Sequence, residues 1–437
     1  MADRLSILMM STHGYVSADP QLGMPDTGGQ VVFVLELARH LNEQGHRVDI
    51  VTRRFEDQPE YDEIADGLRV WRIPFGGNEF IRKERMHEHL PELSQNLLAA
   101  IRDRGLRYDV VSSHYWDAGW AARTVCQEMD IPHVHTPHSL GVWKRDEMGD
   151  EPDAEATYRF EERIQKEFLV YRSADRVIAT TPQQAESIVD RYEIPRRNVV
   201  MIPPGLDVRR YLPVSGSRVR TLRTRLGFRR HDVYTVGRAA HNKGYDLLLR
   251  AMPQLKQAVP DARLVLAVGA DAPADHRRVR RWRALASDLG ISADVEWRGH
   301  VPDEQMADHY RAAGVFALPS RYEPFGMTAI EAMASGAPSV ITVHGGLEEM
   351  FDFGSQALFA DPARPTEFAT MLSLPMRYPR LRERLTVEGA QWAGRTFGWS
   401  RIAQRTADVL SETMVDRENG PATWELPAVR VDGQEGG

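Results

Sequence analysis

The chain has 437 residues, 42% apolar and 27% charged, with a net charge of −7 and a single cysteine. That length predicts two cores of roughly two hundred residues each, and the negative charge argues against general affinity for nucleic acid. The lone Cys126 excludes an intrachain disulfide and a thiolate metal cluster, fits a reducing cytosol, and reads as a small buried apolar residue.

At the start only a four-residue apolar run begins at Ile7, too short for a signal-peptide core or a membrane span, so Leu5 to Met10 reads as a first buried strand. Gly28-Gly29 opens a helix with apolar positions Val31, Leu35, Ala38 and Leu41; Gly45 closes it, and Val48 to Thr52 is the next strand. Further strands are expected at Leu68 to Ile73, Asp109 to Ser112, His133 to His135, Arg176 to Ala179 and Val199 to Ile202. Pro203-Pro204-Gly205 and Pro213 to Ser217 read as linker. A second alternation follows at Tyr234 to Val236, Leu264 to Val268, Val295 to Trp297, Val315 to Leu318, Ser339 to Thr342 and Ala357 to Phe359. Strands alternating with helices predict an α/β chain with two doubly wound parallel sheets, whose ligands sit outside the carboxyl ends of the strands. The basic run His276 to Arg283 reads as the wet face of a helix whose apolar side is Val279, Trp282, Leu285 and Leu289, and not as a nucleic-acid contact. No segment has the uninterrupted apolar length of a membrane span, so a soluble chain without stable membrane association is expected.

The richest stretch runs from Ser320 to Pro338. Gly314 to Leu318 is a short strand that Pro319 ends, Pro324 and Gly326 punctuate a loop, and from about Met327 a helix runs to Gly336. Its first N–H groups, at Phe325, Gly326 and Met327, suit phosphate oxygens. Glu323 precedes the helix and Glu331 lies within it, so the two carboxylates can reach different parts of one ligand, each accepting two hydroxyls of a ribose or sugar. The plainer reading makes Glu323 a cap and Glu331 a solvated side chain. Arg238 and Lys243 follow the strand ending at Gly237 and can neutralise a departing diphosphate, or serve as surface cations. In the first half, Gly29 permits close backbone approach and Gln30 offers a donor and an acceptor; His138 and Ser139 follow a strand; and Lys83, Lys144 and Arg163 can bind a phosphate on a second substrate. Arg163 can equally pair with Glu167 one helical turn away. His133, His135 and His138 have no Asp, Glu or Cys at ligand spacing, so no structural zinc is expected.

Together these residues resemble the retaining GT-B glycosyltransferases of family four. The likeness rests on Glu-Pro-Phe-Gly-x4-Glu from Glu323 to Glu331, Gly237-Arg238 with Lys243-Gly244, His344-Gly345-Gly346, Pro203-Pro204-Gly205 and Gly28-Gly29. Within the family, Asp26 to Gln30, Thr52 to Arg54, Ile73 to Gly77, Ser113 to Asp117 and His138 to Gly141 are similar to strings of the sucrose-phosphate and mannosylfructose-phosphate synthases. Ser11 to Tyr15, Arg54 to Glu60, His135 to Gly141, Ala179 to Pro182 and Ser320 to Gly336 favour the mannosyl branch. The resemblance implies a GT-B fold of two Rossmann-like domains facing across a cleft. An acceptor domain is expected over 1–213, a nucleotide-sugar domain over 214–396, a helix at about 397–417 packing back on the first, and a flexible tail over 418–437.

It also implies retaining hexosyl transfer from a nucleotide sugar, GDP-mannose favoured over UDP-glucose or ADP-glucose, to fructose 6-phosphate. The implied catalytic residues are His138, Arg238, Lys243 and Glu323. Donor contacts fall to Gly29, Arg238, Lys243, Val301, Glu323, Phe325, Gly326, Met327 and Glu331, and acceptor-phosphate contacts to Gly29, Gln30, Lys83, Ser139, Lys144 and Arg163. No metal or other cofactor is implied; the protein is expected to be cytoplasmic, with a sugar-phosphate phosphatase acting downstream. One departure is Ala239-Ala-His-Asn242 between the two cations, where many relatives carry a leucine after the arginine. Of the rival classes, a glycosidase would also use two carboxylates, an epimerase would interconvert donors without an acceptor, and a regulatory module would bind without turnover. The paired cations and the acceptor set favour transfer.

Overall fold

The protein, seen in a computed structural model, is described over residues 4–20, 29–148, 154–270, 273–323 and 325–419, with Lys83 described by its backbone alone. Asp26 to Gly28, Pro324 and the tail from residue 420 lie outside the described residues. The chain forms two compact units, one of Met1–Thr180, Ala185–Ile202 and Ala403–Gly437, the other of Thr181–Gln184 and Pro203–Ile402.

The first unit holds an eight-stranded sheet in the order β3-β4-β2-β1-β5-β6-β7-β8. The strands are β1 Ser6–Met10, β2 Arg47–Arg54, β3 Tyr61–Ala65, β4 Leu68–Pro74, β5 Val110–His114, β6 His133–Thr136, β7 Arg176–Ala179 and β8 Val199–Met201. All pairs are parallel except β3 with β4. Helices cover both faces of the parallel strands, which therefore read as near-continuous apolar runs. The helix Gly29–Glu43 buries Val31, Val34, Leu35, Ala38 and Leu41 at helical spacing. Only β3 went unread: its five residues are polar or half-exposed, because an antiparallel edge strand needs no buried face on both sides. Since β1 lies between β2 and β5, the chain reverses its winding there, and the crevice beyond their carboxyl ends is where such sheets take ligands. In the helix Trp399–Asn419, Arg405 near the start donates to the Met201 carbonyl at 2.9 Å, and Arg417 near the end pairs with Asp130 at 2.7 Å.

The second unit holds β9 Asp232–Arg238, β10 Arg263–Gly269, β11 Val295–Arg298, β12 Val315–Leu318, β13 Ser339–Thr342 and β14 Leu358–Ala360, all parallel, in the order β11-β10-β9-β12-β13-β14. Here the winding reverses between β9 and β12, so their carboxyl ends, Gly237-Arg238 and Pro319-Ser320, flank the crevice. The basic run lies on the helix Pro273–Asp288, which buries Trp282 and Ala286 while Arg277, Arg280, Arg281 and Arg283 face solvent. Among the described residues no helix is long and apolar enough to cross a membrane.

Candidate active site

In the second unit three segments that are distant in sequence are tied at the ends of β9 and β12. Gly244 caps the short turn His241–Lys243 with φ +64°, and a Cβ there would stand 1.9 Å from the Pro319 carbonyl oxygen, so both backbone angle and space require glycine. Arg321 clamps the same turn: it forms a bidentate pair with Asp246 at 2.9 and 2.6 Å and donates to the His241 carbonyl at 3.0 Å. The clamp brings Lys243 to the loop after β12, where its Nζ donates to Glu323 Oε2 at 2.6 Å, and the buried Ser320 hydroxyl donates to the same oxygen at 3.0 Å. Glu323 is further fixed by its own N–H on the His344 carbonyl at 2.9 Å. Arg238 stands exposed at the end of β9. Three side chains expected to act together are therefore at the carboxyl ends of the two central strands, with Arg238 exposed, Lys243 half-buried and Glu323 buried.

The helix Met327–Ala334 starts from Gly326 at φ +76°, against Leu347 and Leu318. Phe325 is buried edge-on to Phe397 at 5.8 Å, so its ring anchors the turn and is withdrawn from any ligand. Unpaired N–H groups at such a helix start favour anionic oxygens. Four residues into the helix, Glu331 accepts from the buried Tyr310 hydroxyl at 2.8 Å on Oε2. Burial pushes its carboxyl pKa up to about 7; the Tyr310 hydrogen bond works the other way. Tyr310 lies in another helix, Asp303–Ala312, and no sequence spacing announced it. Val301 is a buried side chain of the unit's hydrophobic core, which leaves any base readout there to its backbone.

In the first unit the loop after β6 carries His138 and Ser139. His138 has φ +59°, a conformation few non-glycine residues adopt, and Ser139 N–H closes a three-residue turn on the Pro137 carbonyl at 2.7 Å. Its Nε2 meets Nδ1 of the buried His114 at 3.0 Å, and the Phe33 ring packs edge-on at 4.8 Å. Burial and the neighbouring histidines His114 and His13 hold the His138 pKa well below the usual imidazole value, so the ring is neutral.

Arg163, which the sequence left between two partners, turns inward. It donates to Glu167 at 2.7 Å, to the Tyr115 hydroxyl at 3.1 Å, and to the carbonyl and hydroxyl oxygens of Ser139 at 3.0 Å each. Glu167 is fully buried and also accepts from Gly141 N–H at 2.8 Å and from the Tyr192 hydroxyl. Burial works against the Arg163 charge, yet Glu167 holds the guanidinium's pKa above its usual value. Arg163 thus fixes Ser139 as an acceptor and leaves the serine hydroxyl proton to donate outward. Gln30 donates to Ser11 Oγ at 3.3 Å and to the His114 carbonyl at 3.4 Å, and Gly29 has no atom within 4 Å of where a Cβ would stand. Lys144 is half-buried on the helix Gly141–Met148, and Lys83 opens the helix Lys83–Met86. His133 and His135 share the Ser113 hydroxyl at 2.6 and 2.8 Å. Among the described residues no cluster of His, Cys, Asp or Glu is arranged to hold a metal ion.

Two doubly wound parallel sheets, with a cation and carboxylates at a helix start beyond the second, define the class. A family model described as Glycosyltransferase Family 4 matches residues 27–210, and one described as Glycosyl transferases group 1 matches residues 223–392. The chain belongs to the GT-B glycosyltransferases of family four. It is 48% identical to a mannosylfructose-phosphate synthase of Agrobacterium fabrum over 96% of this chain and 94% of that protein. It is 34% identical to a D-inositol 3-phosphate glycosyltransferase of Corynebacterium jeikeium over 93% of this chain and 97% of that one. Among solved structures, a sucrose-phosphate synthase from Thermosynechococcus elongatus is similar at a TM-score of 0.78 and 28% identity, covering 94% of this chain and 100% of that chain.

Proposed function

We propose that the protein moves a hexosyl group, mannosyl in the favoured case, from a nucleotide sugar to fructose 6-phosphate with retention at the anomeric carbon, giving a phosphorylated disaccharide. The observation that carries this reading is the 48% identity to a mannosylfructose-phosphate synthase along 96% of the chain. In the second unit, Arg238, Lys243 and the backbone at Phe325, Gly326 and Met327 would meet the diphosphate, Glu331 the ribose, Glu323 the donor sugar, and the backbone at Val301 the base. In the first, Gly29, Gln30, Lys83, Ser139 and Lys144 would take the acceptor, with Arg163 acting through Ser139, and His138 would face the transferring sugar.

The bond from the anomeric carbon to the diphosphate oxygen breaks while an oxocarbenium-like sugar forms. The acceptor hydroxyl then bonds to the same face, and its proton passes to the departing diphosphate oxygen. The side chains position the partners and stabilise charge, so the reading assigns no protein nucleophile. It assigns no metal, because Arg238, Lys243 and the helix start supply the positive charge that the leaving group needs. A cytoplasmic location and a downstream sugar-phosphate phosphatase complete it. The second reading, UDP-glucose or ADP-glucose as donor, is favoured by the likeness to a sucrose-phosphate synthase. Purified protein incubated with GDP-mannose, UDP-glucose or ADP-glucose against fructose 6-phosphate or glucose 6-phosphate separates the two. GDP-mannose with fructose 6-phosphate should give the highest kcat/KM, and nucleotide release without any acceptor would sink both.

A further inference from the structure

At the amino-terminal edge of β12, away from Arg238 and Glu323, two arginine side chains converge on the backbone around Gly314, and the charge of a third, Arg230, acts on both. Arg223, on the helix Gly216–Leu226, donates from Nε to the Ala312 carbonyl at 2.9 Å and from Nη2 to the Ala313 carbonyl at 3.1 Å. Arg382, on the helix Pro379–Phe397, donates from Nη1 to the Gly314 carbonyl at 2.7 Å. Because those carbonyls belong to consecutive residues, whose Cα atoms are about 3.8 Å apart, the two guanidiniums are neighbours. The backbone of Arg230 closes the group, its carbonyl oxygen 2.4 Å from where a Cβ on Gly314 would stand.

Among the described residues no carboxylate pairs with any of the three. Asp232, the acid that acts on Arg223, is fully buried and already accepts from Arg263 at 3.0 and 2.6 Å and from Arg229 N–H at 2.7 Å. Carbonyl oxygens satisfy donors but do not cancel a full charge. Arg382 also sits in the first turn of its helix, where the dipole favours anions over cations. Burial, with repulsion from Arg223 and Arg230, pushes its pKa down to about 10. Asp261 acts on Arg230, but it is exposed and already paired with His231 at 2.9 Å. Capping the carbonyls that follow the helix Asp303–Ala312 would take one such cation; three that share only these two engaged acids call for an anion.

We propose that Arg223, Arg230 and Arg382 form a second anion site, separate from the transfer chemistry, which takes a phosphate group at the amino-terminal edge of β12. The guanidinium fork matches phosphate oxygens two at a time, and the donors of Arg223 and Arg382 not spent on carbonyls are available for it. Arg223 and Arg382 are half-buried and Arg230 is exposed, so an ion reaches them from solvent. The group is that of inorganic phosphate or of a phosphomonoester.

The test is thermal unfolding of the full chain in phosphate-free buffer and with added inorganic phosphate, ionic strength matched with potassium chloride. Wild type should melt about 3 °C higher at roughly tenfold excess over Kd, with a gain that goes on rising as the logarithm of the phosphate concentration. Lys243→Ala, which removes a cation of the transfer site, should keep this gain; Arg382→Gln and Arg223→Gln should lose it. Without phosphate, Arg382→Gln gives up the bond to the Gly314 carbonyl, which its shorter side chain does not reach, but sheds the repulsion from Arg223 and Arg230, so its melting point should stay near that of wild type. Methyl phosphate in place of phosphate identifies the source: an equal rise points to a phosphomonoester, a rise with inorganic phosphate alone to the free ion. An equal phosphate gain in wild type and Arg382→Gln, no gain in wild type, or an Arg382→Gln melting point lowered by the same amount in both buffers would overturn the proposal.

Discussion

Glu331→Gln should remove a pH dependence from donor binding. In the free protein burial holds the Glu331 carboxyl near a pKa of about 7, with Oε2 accepting from Tyr310. Only the ionised form can accept two ribose hydroxyls on its remaining lone pairs; the neutral form carries a proton in their place. If that form alone binds well, the apparent Kd is the intrinsic value divided by the ionised fraction, which is about nine-tenths at pH 8 and one-tenth at pH 6. Wild-type Kd for an intact nucleotide sugar should therefore rise about tenfold as pH falls from 8 to 6, a range in which a diesterified diphosphate keeps its charge. Glu331→Gln should bind about 10- to 100-fold more weakly at pH 8, the cost of losing hydrogen bonds to a charged acceptor, with the dependence gone. Stability should move the opposite way. A carboxyl whose folded-state pKa is raised keeps its proton longer in the native chain, so wild type loses stability as pH rises from about 4.5 through about 7. Glu331→Gln should consequently gain in melting temperature relative to wild type at pH 8 and not at pH 4. Isothermal titration across pH, paired with thermal unfolding, reads both. A wild-type affinity flat between pH 6 and 8, or a dependence that survives in Glu331→Gln, would refute the assignment.

Lys243→Ala should cut kcat/KM by about 100-fold or more, since it removes a fixed charge from the leaving group and leaves Glu323 unpaired; a loss below threefold in steady-state assays would remove it from the chemistry. Ser139→Ala should raise the acceptor KM about tenfold and hardly move the donor KM, and equal effects on both would break the acceptor assignment. Arg163→Ala leaves the Glu167 carboxylate buried without its cation and should cost about 3–5 kcal/mol of stability, read as a lower denaturant midpoint; an unchanged midpoint would contradict the inward geometry. Lys83→Ala should raise the acceptor KM far more than the donor KM.

Most of the parallel strands were legible because they are buried on both faces and so are short, largely apolar runs between turn residues. β3 was not, being an edge strand with half-exposed side chains. The glycines and carboxylates of the Glu323 to Glu331 stretch were visible for a related reason: Gly244 and Gly326 are demanded by backbone angle and close approach, which leave a mark on the sequence. Partnerships across the fold leave none. Lys243 and Glu323 are far apart in the chain, and Tyr310 reaches Glu331 from a different helix. Arg163 shows the limit most clearly. Its spacing to Glu167 allowed an ion pair and its charge allowed a phosphate contact; full burial of Glu167 among Gly141, Tyr192 and Arg163 settled which bond forms. Glu167 carries no motif, and the strings that contain His114 and Ser320 do not say what those side chains bond, so their positioning roles emerge only from the folded geometry.

The most direct test of the account is the product formed from GDP-mannose and fructose 6-phosphate, analysed by mass and by the one-bond C1–H1 coupling of the transferred sugar in NMR. A phosphorylated disaccharide with the donor's anomeric configuration, formed together with one nucleoside diphosphate per turnover, is the predicted result. An inverted anomeric centre, or GDP released at the same rate with and without fructose 6-phosphate, would contradict it.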